Sequence, residues 1–112
     1  MLYVDFIAGD KAYKLRLNTR NTVMLEKTLG RNPIGIFDTK GESLPSITDM
    51  VSVLFASMQQ YHHGITLNDA YDIFDDYLAD GHTVTDFVSV ILDIYRESGI
   101  IPKNTKETAE KN

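Results

Sequence analysis

One piece of punctuation recurs three times in the second half of the chain: Ser46-Ile47-Thr48-Asp49, Thr66-Leu67-Asn68-Asp69 and Thr83-Val84-Thr85-Asp86. Each places a hydroxyl at a helix N-cap and a carboxylate three residues on, a short-armed relative of the capping box. Pro45 strengthens the first start, and Gly64, Gly81 and Gly99 supply the stops. The spacing predicts three helices of roughly 15, 14 and 15 residues joined by links of about two or three. Helices joined so tightly fold back on one another as antiparallel neighbours.

The start of the chain has a different period. Leu2, Val4, Phe6 and Ala8 alternate with Tyr3, Asp5 and Ile7, and beyond Gly9-Asp10 a second alternation puts Tyr13, Leu15 and Leu17 on one face and Lys14 and Arg16 on the other. Gly9 can take the positive φ that a type II′ turn needs at its first central position. A β-hairpin over about residues 2–17 is therefore predicted. A lone hairpin is marginal in water, so it must lie on helices or pair with another chain's edge. From Thr19 the period becomes helical through Val23, Met24, Lys27 and Leu29 to a stop at Gly30. Asn32-Pro33 breaks the chain, Ile34 to Phe37 suits one more helical turn, and Asp38 to Ser43 is a polar loop. The expected architecture is α+β and mainly α: the hairpin, four to five helices and short loops in a single domain over residues 1–101. A flexible tail over 102–112 follows, because nothing apolar larger than alanine comes after Pro102.

Composition narrows the function. The chain has 112 residues, 43% hydrophobic and 24% charged, which is enough for one core. The lack of cysteine excludes disulfide frameworks, thiolate metal sites and thiol nucleophiles, and suits a reducing cytoplasm. No basic segment followed by an apolar run opens the sequence, and no apolar stretch approaches the roughly 20 residues that span a bilayer. A soluble protein with no membrane partner is expected. The formal charge of −5 argues against nucleic acid as a partner, since phosphate binding needs clustered Lys and Arg.

That charge is unevenly spread. Residues 1–56 sum to +1, residues 57–98 to −7 with Arg96 the sole base, and residues 99–112 to +1. On the helix from Thr66 to Asp80, the apolar stripe is expected to be Leu67, Ala70, Tyr71, Phe74, Tyr77 and Leu78. Asp69, Asp72, Asp76 and Asp80 form a second stripe, stacked at spacings of three and four with no Lys or Arg on the helix to relieve them. Such a face could be an electronegative surface for a basic partner segment, a divalent-cation site, or a solvated exterior that keeps the protein soluble. An EF-hand is excluded, because Asp72 to Asp76 lacks the alternating ligands, the central Gly and the closing Glu.

Catalytic patterns are missing from the sequence. His62 and His63 are adjacent and point about 100° apart on a helix, so they cannot share an ion. There is no Gly-x-Ser-x-Gly elbow, and Gly30 to Gly35 lacks the Lys and Ser/Thr of a phosphate loop. No catalytic residue, metal ligand or cofactor is predicted, and the protein is not expected to be an enzyme. Interaction surfaces stand out instead. The helix from Ile47 has its main stripe along Ile47, Met50, Val51, Leu54, Met58 and Tyr61, but Val53 and Phe55 project elsewhere. The helix from Val84 adds Val90, Leu92 and Ile94 to its stripe of Val84, Phe87, Val88, Ile91 and Tyr95. A helix apolar on several sides is either central or half-covered by another chain. Phe55, Val90, Leu92 and Ile94, with the four aspartates, are the candidate partner-binding residues, and self-association is expected.

The opening Leu2 to Leu17, the Thr19-Arg20 helix start, Leu25-Glu26-Lys27 and Leu29-Gly30-Arg31-Asn32-Pro33 together resemble the small tail assembly chaperones of siphophages and prophages of Gram-positive bacteria. Asp75-Asp76-Tyr77 and Ser98-Gly99-Ile100-Ile101 are similar to that group as well. The resemblance implies a non-catalytic protein of the host bacterial cytoplasm. Such a protein coats the long helical tape-measure protein, keeps it soluble, and gives way as the tail-tube protein polymerises. It also implies that a frameshift can yield a longer second product, with the segment from Pro102 as the joint. The family supplies no residue-level binding motif. A rival reading of the acidic segment is an adaptor or nucleic-acid-mimicking inhibitor that fills a basic groove on another protein.

Overall fold

The computed structural model describes residues 2–103. Two antiparallel strands, β1 (Val4–Ala8) and β2 (Lys11–Leu15), are followed by α1 (Thr19–Leu29), a short 3₁₀ helix (Pro33–Phe37), α2 (Ile47–Met58), α3 (Leu67–Ala79) and α4 (Val84–Glu97). The protein is α+β and mainly α. Of the expected tail, Pro102 and Lys103 are described, and Lys103 Nζ lies 3.4 Å from Glu97 Oε1, so the chain stays in contact with α4 that far. The rest of the tail lies outside the described residues.

The hairpin closes on Gly9 at φ +61° with Asp10 at negative φ, the combination that a type II′ turn needs. Pairing runs from Ala8↔Lys11 to Val4↔Leu15, two residues short of the start expected for the first strand. Leu2, expected on the core side, precedes the last pair and is exposed. Phe6, Ala8, Tyr13 and Leu15 bury one face of the ribbon against α2, α3 and α4. The hairpin thus lies on the helices, which supply the apolar cover that a two-stranded sheet lacks.

Two of the three predicted cap motifs close as reciprocal boxes. Thr66 Oγ1 accepts from Asp69 N–H while Asp69 Oδ2 accepts from Thr66 N–H, and Thr83 and Asp86 repeat the arrangement. In the third, Ser46 Oγ accepts from Asp49 N–H, but the Asp49 carboxylate is diverted to Arg31, 2.8 Å away. That ion pair ties the loop after α1 to the start of α2.

The helix α2 is central, packed against α1, α3, α4 and β2, with Met50, Val53, Leu54 and Met58 wholly buried. Its many-sided apolarity is explained by that position, and Val53 points into the core. Two sequence expectations fail here. Ile47, placed at the head of the stripe, is exposed at the first turn. The helix also ends at Met58, well before Gly64. The Ser57 carbonyl, which a further turn would need for Tyr61, accepts instead from Arg16 N–H at 2.8 Å, while Ser57 Oγ bonds back to the Leu54 carbonyl. The hairpin's exit strand therefore competes with the helix for its last carbonyls, and residues 59–64 become a turn.

The remaining ties are long in sequence. Tyr95 Oη donates to the Pro33 carbonyl at 2.7 Å inside the core, and Leu17 N–H donates to Ser98 Oγ at 2.9 Å. After Ser98, the Ile100 N–H reaches back to the Tyr95 carbonyl across Gly99 at φ +81°, ending α4 where its glycine was expected to.

Candidate partner-binding surface

The aspartate stripe divides into groups with different work. Asp69 is committed to the α3 cap. Asp80, at the other end of the helix, accepts from Gly9 N–H at 2.8 Å and so clasps the hairpin turn onto α3. Asp72 and Asp76 face an open groove of about 680 Å³ between α3 and the turn, lined also by Lys11, Tyr13 and Ile73. Burial, and then the nearby carboxylates of Asp76 and Asp69, push the Tyr13 hydroxyl above its ordinary pKa of 10.0. The stripe therefore faces the hairpin along much of its length, a relationship that no helix-by-helix reading could supply. Among the described residues there is no group of three or more His, Asp or Glu side chains that could hold a metal ion.

The apolar set of α3 is rotated from the expected one. Ala70, Ile73, Phe74 and Tyr77 are buried, whereas Leu67 and Tyr71, both assigned to the buried stripe, are exposed at 42% and 45%. Ile73 takes their place under the hairpin, because the sheet rather than α2 alone sets which side of α3 is covered.

Of the apolar candidates, Ile94 is wholly buried beside Tyr95 and serves the core, so it is not a partner contact. The reason is that α4 is covered by the hairpin as well as by α2. Val90 and Leu92 are half-buried on α4. Phe55 sits at the floor of a narrow cleft of about 80 Å³ with Met24 and Thr28 of α1 on one wall and Leu67 of α3 on the other. Met24 also borders a wider, mostly apolar depression of about 580 Å³ on α1, with Val23 inside and Arg20 and Lys27 at the margin. Tyr71 stands one turn beyond Leu67 on the same side of α3. Val23, Met24, Phe55, Leu67 and Tyr71 thus make an apolar seam running from α1 across α2 to α3. Sequence reasoning reached only Phe55 as a surface residue. The spacing of four between Leu67 and Tyr71 was visible, but was absorbed into the core stripe.

No helix of the described residues is long and apolar enough to cross a membrane. Compared with curated proteins the chain finds no match, and compared with solved structures it finds none. A family model does match over residues 4–112, nearly the full length, and the chain accordingly belongs to the family described as "Family of unknown function (DUF6096)".

Proposed function

We propose that this protein is a tail assembly chaperone of a siphophage or prophage, acting without catalysis in the host bacterial cytoplasm. It binds an apolar helical face of the tape-measure protein and releases it to the advancing tail-tube protein. The observation that carries the reading is the seam from α1 to α3. Val23, Leu67 and Tyr71 leave large apolar area in water around the Phe55 cleft, three exposed apolar side chains gathered at one cleft. A shallow apolar groove with a charged margin, here Arg20 and Lys27, suits an amphipathic helix laid across it. The tape-measure identity of that helix comes from the sequence resemblance.

The rival reading, an acidic adaptor or nucleic-acid mimic, has less to stand on, since Asp69 and Asp80 are committed to their own chain. Co-expression of the protein with its tape-measure candidate decides the matter. Soluble client should be recovered with the wild type and lost with Val23→Glu plus Leu67→Glu, both exposed changes that leave the fold in place. Client that is equally insoluble with and without the protein would overturn the proposal.

A further inference from the structure

The two edges of the hairpin are treated differently. With a two-residue loop and Ala8 opposite Lys11, the alternation of an antiparallel pair turns the N–H and C=O groups of Ala12 and Lys14 outward on β2 and those of Asp5 and Ile7 outward on β1. On β2 two outward N–H groups are covered, since Lys14 N–H donates to His62 Nε2 at 2.8 Å and Arg16 N–H, just past the strand, donates to the Ser57 carbonyl, which leaves Ala12 beside the turn as the open residue of that strand. The turn is covered too, through Gly9 and Asp80. On β1 neither Asp5 nor Ile7 has a backbone partner beyond the hairpin among the described residues. Buried backbone groups are almost always paired, so an unpaired row belongs to an edge open to water. It carries Leu2 and Ile7, exposed at 69% and 62%, the two most exposed large apolar side chains among the described residues.

We infer that β1 is the site at which a second copy of this chain adds its own β1, joining the two hairpins into one four-stranded antiparallel sheet about a twofold axis through Phe6. The occupant and the register follow from charge. Residues 2–17 carry Asp5 and Asp10 against Lys11, Lys14 and Arg16, a sum of +1, so two hairpins meet with little repulsion although each whole chain is at −5. A register that set Asp5 opposite Asp5 would face like charges directly. Moving by one step along the edge sets Asp5 opposite Ile7 of the other copy, each pair exchanging both of its hydrogen bonds, with Lys14 across the hairpin beside each Asp5. An acidic strand from another protein would set its carboxylates against Asp5, the one charge on β1.

The test uses the full chain in analytical ultracentrifugation over a wide concentration range. The wild type should rise from monomer to dimer mass with concentration. Ile7→Pro should remain monomeric with an unchanged far-ultraviolet circular dichroism spectrum, because proline is tolerated where a strand N–H faces outward and has no internal partner to lose. A wild type that stays monomeric throughout, or an Ile7→Pro variant that dimerises as well as wild type, overturns the inference. Because the chain has no cysteine, a second measurement stands even if that variant fails to fold. In Asp5→Cys plus Ile7→Cys, the directly opposed Cα atoms would lie about 5.5 Å apart, within disulfide reach. Mild oxidation should give a covalent dimer that neither single variant gives. No dimer from the double variant, or an equal dimer from Asp5→Cys alone, refutes the pairing.

Discussion

The backbone N–H of Lys14 donates to His62 Nε2 across 2.8 Å, so the middle of the outer edge of β2 is capped by an imidazole that must be neutral to accept. Burial, and then the Lys14 ammonium, hold the His62 pKa below its ordinary 6.5. A histidine lowered in the folded state adds stability that is full above the unfolded value and is lost as pH falls through 6.5 toward the folded one. The thermal midpoint should therefore drop between about pH 7.5 and about pH 5.5. In His62→Gln, whose amide oxygen can accept the same bond without titrating, that drop should shrink. An undiminished drop would place the pH dependence elsewhere.

Gly9 and Asp80 form one clasp, so their substitutions should not add. Gly9→Ala forces an L side chain to φ +61° at a cost of about 1–2 kcal/mol, although the space beside it is open enough, with Asp76 Oδ2 3.5 Å from the added Cβ. Asp80→Ala removes the acceptor, for about 1 kcal/mol. If the strained turn already loosens the bond, the double variant will cost less than the sum in urea unfolding.

Burial separates Ile94 from Leu67 although both read as apolar helix positions. Ile94→Ala should cost about 2–5 kcal/mol by opening a cavity in a wholly packed site. Leu67→Ala, 42% exposed, should stay within about 1 kcal/mol in chemical denaturation while weakening client capture.

The aspartates should likewise divide by role. Asp69→Ala opens the α3 capping box and should cost about 0.5–1 kcal/mol. Asp72→Asn removes a like charge from between Asp69 and Asp76 and should be neutral or stabilising by a few tenths of a kcal/mol. Thermal melts of the two variants side by side check the contrast, and equal losses would show that Asp72 has a structural partner.

Much of the architecture was legible because it is written in local signals. Gly9-Asp10 marks the hairpin, and Thr66, Thr83 and their aspartates mark two helices to within a residue. What failed depends on neighbours distant in sequence. The early end of α2 follows from Arg16 taking the Ser57 carbonyl, and Asp49 left its box for Arg31. The buried side of α3 was misplaced because Leu67 and Ile73 fit a helical stripe equally well, and only the hairpin's position decides between them. The acidic stripe could be seen as a pattern, but its division into cap, groove and clasp could not.

The bond from Leu17 to Ser98 spans 81 positions of sequence and closes the hairpin against the last helix. A chain leaving the ribosome makes its hairpin before α4, so the apolar underside of β1 and β2 is not fully covered until α4 has emerged. During that interval the nascent hairpin is exposed to its neighbours on the same polysome, and the closing of α4 over Phe6 is the step that ends the exposure.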